Sequence, residues 1–274
     1  MKKTRYKNLK LCWIPVCFFL CILSFGTLAF AEQRAKSNIK AELVWSESDG
    51  ENFQVVYSRF ENRRWSDEVH ITNTKVANIL PCIGKGPDGV TWVVWSVVND
   101  LGNPTLFYSL SDGDSWSQPI LIPTDFVSDT APSVVVSSDN VAQIVWSGFD
   151  GKVDNIYYIS RKESLWSDPQ KVNLDNAVPD ILPIIGINDA GNLWVYWSGY
   201  DGGGKYRNYS SIQNGLKWEG ETEENVSDNI YLAMIKKAVG QIPALPQSVS
   251  DPAKASIYVE NSGQIQSLPL RYLK

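Results

Sequence analysis

The chain has 274 residues, of which 43% are hydrophobic and 20% are charged, and it is rich in tryptophan (11) and tyrosine (12). Its formal net charge of −5 argues against a nucleic-acid partner, which would require a basic surface. One histidine and four cysteines are too few for a metal centre built from those residues, and we expect no cofactor.

The N-terminal segment predicts export. Basic residues among the first ten precede an apolar run that ends in Ala29-Phe30-Ala31, the pattern a signal peptidase cleaves. We therefore interpret residues 1–31 as a signal peptide and the protein as secreted or periplasmic. An uncleaved anchor stays open, because the run is just long enough to span a bilayer. The remainder would then face outward, and this segment would be its membrane contact.

The rest of the chain repeats with a period of about 50 residues. A Trp-Ser pair, a second tryptophan and a tyrosine keep this period. The Trp-Ser tryptophans are Trp45, Trp95, Trp146 and Trp197, the second set is Trp65, Trp116, Trp166 and Trp218, and the tyrosines are Tyr57, Tyr108, Tyr158 and Tyr209. Three markers that hold one period indicate a repeated structural unit.

Each unit is predicted to contain four short antiparallel strands. In the third unit, PSVVVSS, VAQIVWS, NIYYIS and LWSDPQKVN are separated by polar or glycine-bearing turns. The second strand is apolar on both faces, which is typical of a sheet covered on both sides. The fold class is therefore all-β, and residues 32–274 are predicted to form a single β-propeller of about five blades.

The two ends of the propeller are predicted to be incomplete. The segment from Pro246 to Tyr272 matches the first three strands of a fifth unit, after an insertion near residues 228–243. The first blade lacks an apolar first strand. Open blade edges attract partners, so a scaffold subunit or homo-oligomer stays open as an alternative.

The hairpin between the third and fourth strands contains SLSDGDSW, in which Ser109, Gly113 and Trp116 are regularly spaced. Ser211, Gly215 and Trp218 repeat this spacing in the fourth unit. The pattern resembles the Asp-box of sialidase-like propellers, although the central Asp is replaced in both. The resemblance implies a structural hairpin whose tryptophan packs between blades, and not a ligand site.

The same resemblance raises the question of whether this chain has the catalytic residues of a sialidase. That chemistry uses three arginines, a tyrosine nucleophile assisted by glutamate, and an aspartate acid/base. No arginine falls on an expected inner strand; those of the mature chain are Arg34, Arg59, Arg63, Arg64, Arg161, Arg207 and Arg271. Cys82 is predicted to be a buried thiol in an apolar strand. We therefore expect a non-catalytic protein, with a degenerate sialidase-like glycoside hydrolase as the alternative.

A second repeated element suggests binding. Each Trp-Ser pair is followed by Asp or Asn at the same blade corner, which gives the candidate ligand residues Trp45, Asp49, Trp95, Asn99, Asp100, Trp146, Asp150, Trp197 and Asp201. An aromatic plane beside a carboxylate suits a sugar, so we expect a lectin-like protein that binds carbohydrate or a cell-surface partner. Alternatively, these tryptophans belong to the core between blades and the Asp residues form turns.

Overall fold

The computed structural model describes residues 39–223, 242–260 and 267–273. The predicted signal peptide and most of the predicted insertion lie outside these residues. The strands are β1 (Ala41–Ser48), β2 (Phe53–Glu61), β3 (Arg64–Trp65), β4 (Val69–His70), β5 (Ala77–Lys85), β6 (Thr91–Val98), β7 (Pro104–Ser111), β8 (Ile120–Leu121), β9 (Ser128–Val136), β10 (Ala142–Phe149), β11 (Asp154–Lys162), β12 (Leu165–Trp166), β13 (Gln170–Lys171), β14 (Asp180–Ile187), β15 (Leu193–Tyr200), β16 (Tyr206–Asn214), β17 (Lys217–Trp218), β18 (Thr222–Glu223), β19 (Ala255–Val259) and β20 (Ser267–Pro269).

The described strands form four antiparallel sheets. Sheet 1 contains β1–β4 with β19 and β20, sheet 2 contains β5–β8, sheet 3 contains β9–β13, and sheet 4 contains β14–β18. Within each of sheets 2 to 4, the strands follow one another in chain order from an inner strand outward. The predicted fourth strand is present in every sheet as one or two pairs of residues.

The four sheets close a ring. Separate apolar cores join sheet 4 to sheet 1, sheet 1 to sheet 2, sheet 2 to sheet 3, and sheet 3 to sheet 4. Each sheet is therefore buried on both faces by its two neighbours, which explains why its second strand is apolar without alternation. This cyclic arrangement of four-stranded wedges is that of a β-propeller, as the repeat predicts.

The interpretation of the C-terminal segment as a fifth blade is wrong. β19 pairs with β1, with Ala255 opposite Trp45, and so supplies the inner strand that sheet 1 lacks. β20 pairs with β19 and contacts the inner strands of sheets 2, 3 and 4, which places it at the axis of the ring. Pairing with sheet 1 buries both strands, whereas a separate partial blade would leave an open edge.

The inner strands of sheets 2, 3 and 4 share a β-bulge. A proline recurs in each of these strands, at Pro81, Pro132 and Pro183. The residue before it has a positive φ, 52° at Leu80, 52° at Ala131 and 57° at Leu182. Proline cannot donate to the sheet, and the bulge takes it out of the hydrogen-bonded ladder. Cys82, which follows the first of these prolines, is fully buried as predicted.

Candidate functional site

The four Trp-Ser tryptophans lie in the cores between sheets. Each packs into the core that joins its own sheet to the preceding one, and each is only 0–1% exposed. They therefore occupy equivalent places in successive sheets, as the repeat predicts. Rings buried in this way offer no face to a sugar, so we assign them to the core, the alternative that the sequence left open. The residues are Trp45, Trp95, Trp146 and Trp197.

Three of these indoles donate a hydrogen bond to a residue seventeen positions earlier, on the inner strand of the same sheet. Trp95 Nε1 lies 2.9 Å from Asn78 Oδ1, and Trp197 Nε1 lies 2.9 Å from Asp180 Oδ1. Trp146 donates to Asp129 in the same way. Burial raises the pKa of both Asp129 and Asp180 above the ordinary value of an aspartate. These carboxylates are structural acceptors inside the sheets.

The Asp and Asn residues four positions after these tryptophans close the hairpin between the second and third strands. Asp49 Oδ1 accepts from the backbone N–H of Glu51 (2.9 Å) and Asn52 (2.7 Å). Asn99, Asp150 and Asp201 accept equivalent backbone hydrogen bonds. These bonds lower the pKa of the three aspartates. Asp100 is exposed beside Asn99.

At the sheet 4 corner, the half-buried Tyr200 packs against the exposed Tyr206. The rings of Tyr200 and Tyr206 lie 5.4 Å apart, and Tyr206 is 54% exposed. Beside them, Arg207 pairs with Asp201 (3.4 Å) and Glu223 (2.6 Å). The sequence signal for this pair is Tyr200, the aromatic residue directly before Asp201.

Hydrogen bonds close the base of the Asp-box-like hairpins, and we call such a hairpin together with its tryptophan a staple. Ser109 Oγ donates to the backbone oxygen of Ser117 (2.7 Å), and the Leu110 N–H donates to Ser117 Oγ (3.0 Å). Gly113 has a φ of 108°, which favours glycine at the tip. In the fourth unit, Ser211 likewise donates to the backbone oxygen of Glu219, and Gly215 has a φ of 64°.

The tryptophan of three hairpins packs edge-on against the repeated tyrosine of the preceding sheet. The ring centroids are separated by 5.0 Å for Trp116 with Tyr57, by 5.6 Å for Trp166 with Tyr108, and by 5.3 Å for Trp218 with Tyr158. Trp65 instead donates to the backbone oxygen of Ala244, 2.7 Å away, in the segment that precedes β19. The hairpins thus connect neighbouring sheets at their outer side.

A groove of about 630 Å³ lies between the Asp-box-like hairpins of sheets 1 and 2. We call it the Trp116 groove. Trp116 is half-buried in it beside the ring of Tyr57, and most of the remaining side chains are polar. The lining residues that can form hydrogen bonds through their side chains include Arg59, Asp67, His70, Asp114, Ser115 and Gln118.

The side chains of Asp67, Asp114 and Gln118 are exposed in this groove. Within the described part of the chain, no side-chain hydrogen bond or ion pair occupies them. Their oxygen atoms, and the amide of Gln118, can therefore bind the hydroxyl groups of a ligand. The sequence pattern predicts a purely structural hairpin here, and no local signal indicates that a groove opens beside the tryptophan.

Two smaller recesses adjoin the groove, and Arg59 lines both of them as well as the groove. The Lys40 recess, about 360 Å³, is lined by Lys40, Arg59, Glu61, Lys85 and Glu260 among others. The Arg64 recess, about 290 Å³, is lined by Arg59, Glu61, Asn62, Arg64 and Ser66.

A buried acid, Glu42, lies in the wall of the Lys40 recess. It is only 5% exposed, and it accepts hydrogen bonds from the hydroxyls of Tyr57 (2.9 Å) and Thr91 (2.9 Å) and forms an ion pair with Lys85. The pKa of Tyr57 is raised above that of a free tyrosine, mainly by burial and to a smaller extent by the negative charge of Glu42. Its hydroxyl therefore stays protonated as a donor. Burial also raises the pKa of Tyr258, in the same recess, to about 12.

The arginines occupy different surroundings. Arg161 lies over the rings of Trp92, Tyr108 and Trp166, with its guanidinium carbon 5.3–5.7 Å from their centroids. Arg271, which the repeat assigned to the third strand of a fifth unit, follows the axial strand β20 and donates to the backbone oxygen of Pro183 (3.2 Å). The placement of Arg271 is thus a second consequence of the C-terminal pairing.

Within the described residues, no group of three or more His, Cys, Asp or Glu side chains could hold a metal ion. Over the same residues, no helix is long and apolar enough to cross a membrane.

No protein-family model matches the chain, and no curated protein sequence matches it. Among solved structures, the chain is similar to a protein of unknown function from Dyadobacter fermentans, with a TM-score of 0.56 and 11% identity over 68% of this chain and 67% of that one. This likeness shows a shared fold.

Weaker structural matches include the Hadza microbial sialidase Hz136 (TM-score 0.48, 15% identity, 84% of this chain and 56% of that one). They also include a GH93 α-L-arabinofuranosidase of Fusarium graminearum (TM-score 0.49, 11% identity, 67% of this chain and 62% of that one). The chain thus spans less than two thirds of the length of either enzyme, and no activity is transferred from them.

Proposed function

We propose that this chain is an exported carbohydrate-binding propeller that holds its ligand in the Trp116 groove without chemical turnover. The observation that carries the proposal is the composition of that groove. It joins a half-buried tryptophan to several exposed hydrogen-bonding side chains in one concavity of about 630 Å³. This volume lies in the range typical of small-molecule sites.

The physical argument concerns what such a surface can bind. A sugar ring has one face of C–H groups, which packs on an aromatic ring, and a rim of hydroxyl groups, which require donors and acceptors. Trp116 offers the aromatic surface, while Asp67, Asp114 and Gln118 offer the polar groups. Because the staple fixes Trp116 against Tyr57, its ring is ordered before a ligand binds, which lowers the entropic cost of binding.

The proposal moves the ligand from the predicted blade corners to the outer junction between sheets 1 and 2. The corner tryptophans are buried, and Asp49, Asp150 and Asp201 are occupied by turn hydrogen bonds. Export and the absence of turnover remain predictions from the sequence, as do the alternatives of a degenerate hydrolase and a scaffold subunit.

The test compares two tryptophans that make the same staple contact. Binding is measured on an array of neutral and acidic oligosaccharides, followed by calorimetry, for the wild type, Trp116→Ala and Trp218→Ala. We expect Trp116→Ala to weaken binding at least about tenfold, equivalent to about 1.4 kcal/mol. Trp218→Ala should retain the affinity of the wild type, because that residue lies in sheet 4 and does not line the groove.

Urea unfolding of both variants controls for loss of structure. Equal weakening by the two substitutions would show a general effect of the staple and would reject the groove as the site. A wild type that binds no glycan on the array would reject carbohydrate binding itself. Release of reducing sugar from a bound oligosaccharide would reject the non-catalytic part of the proposal.

A further inference from the structure

Arg59 lies where the Trp116 groove, the Lys40 recess and the Arg64 recess meet, since it lines all three. Its side chain is 44% exposed, and its Nη2 lies 3.3 Å from Glu61 Oε2. Within the described residues, no hydrogen bond occupies its Nε or Nη1. Glu61 engages one N–H of Nη2, so the second N–H of Nη2 and the neighbouring free N–H on the other edge of the guanidinium can bind a planar anion through two parallel hydrogen bonds.

Arg59 shares its one described ion-pair partner with a lysine, although Glu260 also lines the Lys40 recess. Glu61 is shared between Arg59 and Lys40, whose Nζ lies 3.6 Å from Glu61 Oε1. One carboxylate thus faces two cations. Lys85 and Glu42 neutralise each other in the wall of the Lys40 recess. Arg64, which is exposed, adds a further cation in the Arg64 recess.

The other arginines with described contacts are already engaged. Arg207 is similarly exposed, at 50%, but it pairs with two carboxylates, Asp201 and Glu223. Arg161 is enclosed by three aromatic rings. Arg59 differs from both because a single shared acid faces it and because it borders an open groove.

The groove also limits how much negative charge a ligand can carry. Asp67 and Asp114 are exposed along it, and the whole chain has a formal net charge of −5. A dense polyanion would be repelled by these acids, which instead suit hydroxyl groups. A ligand that combines many hydroxyl groups with widely spaced carboxylates satisfies both Arg59 and the acids.

From this we infer that the ligand of the Trp116 groove is a glycan that contains uronic acid, with Arg59 binding the carboxylate of one sugar unit. This inference rests on the proposed function and adds the substrate class. The sugar ring packs on Trp116, its hydroxyl groups bind the polar side chains of the groove, and its carboxylate lies against the free edge of the guanidinium.

The experiment uses two ligands with the same sugar backbone, an oligogalacturonide and its methyl ester, which lacks the negative charges. Calorimetry is performed on the full chain for the wild type, Arg59→Gln, Arg59→Lys and Arg207→Gln. The last variant removes the same charge from an equally exposed arginine outside the groove. We expect the wild type to prefer the free acid at least about tenfold, as a charge-assisted bidentate contact allows.

Arg59→Gln should abolish this preference while keeping the weaker affinity for the ester, and Arg59→Lys should restore only part of it, because lysine lacks the planar fork. Arg207→Gln should behave as the wild type. The preference should also decline with added salt. Retention of a measurable affinity for the ester shows that the variants are folded.

Equal affinity of the wild type for the acid and the ester would overturn the inference and leave carbohydrate binding intact. An acid preference that survives Arg59→Gln would reject Arg59 as its origin. Tighter binding of dextran sulfate than of the oligogalacturonide would contradict the requirement for sparse charge. If neither ligand binds and the array is also negative, the proposed function fails together with the inference.

Discussion

At the junction between sheets 1 and 2, Trp116 packs edge-on against Tyr57, and at the next junction Trp166 makes the same contact with Tyr108. The arginine beside each contact differs in its surroundings. Arg161 is enclosed among the rings of the second junction, whereas Arg59 borders an open groove at the first. The same contact between tryptophan and tyrosine thus occurs at a filled junction and at an open one, and the proposed ligand site lies at the open one.

The cores beneath these two staples differ in charge. In the core between sheets 1 and 2, the indole of Trp95 donates to the amide of Asn78. In the core between sheets 2 and 3, the indole of Trp146 donates to the carboxylate of Asp129. A neutral acceptor therefore serves the same position as a charged one, and the buried charge is not required by the fold.

The largest expected effect comes from Trp166→Ala, because it removes the ring that covers Arg161 as well as the staple. We expect a loss of about 3 kcal/mol in the free energy of unfolding, measured by urea denaturation. Trp116→Ala removes the same staple without an enclosed cation, and should cost less, about 2 kcal/mol. An equal cost at both positions would contradict the distinction between a filled and an open junction.

The next effect compares the two arginines. Arg161→Gln removes a half-buried cation from three aromatic faces, and we expect it to lower the free energy of unfolding by about 2 kcal/mol. Arg59→Gln breaks one exposed ion pair, and should change it by less than about 0.5 kcal/mol. Chemical denaturation of both variants in one buffer checks this order. A large loss from Arg59→Gln would mean that Arg59 is structural.

The last expected effect has the opposite sign, because Asp129→Asn, which gives the second core the acceptor type of the first, should stabilise the protein. Asn keeps an acceptor for Trp146 and can donate to Thr124, so the variant removes a buried charge without losing hydrogen bonds. We expect a gain of about 1 kcal/mol at neutral pH.

The pH dependence of this gain follows from the raised pKa of Asp129. Folding disfavours its ionised form, so the cost is present above the raised folded-state pKa and disappears as the pH falls below the ordinary value of 3.8. The advantage of Asp129→Asn should therefore shrink on acidification. Thermal unfolding of both proteins between neutral and acidic pH measures it, and a variant less stable than the wild type at neutral pH would refute the argument.

The sequence predicted the all-β class, the propeller and the equivalence of the four Trp-Ser tryptophans, because these depend on local strand patterns that recur along the chain. It also predicted ligand contacts at the four Trp-Ser corners, where the structure buries the indole rings. Trp197 and Asp201 are close in sequence, but strand alternation and burial send the indole into the core while the carboxylate closes a turn. The half-buried Tyr200 and the exposed Tyr206 lie at the same corner.

The amino-acid sequence by itself determined the repeated unit, its four strands and the staple at its outer hairpin, since each is built from neighbouring residues. Only the tertiary structure decided that β19 pairs with β1, that β20 lies at the axis, and that Arg59 and Trp116 border one groove. Those features join residues far apart in the chain, and their energies depend on which sheets become neighbours when the ring closes.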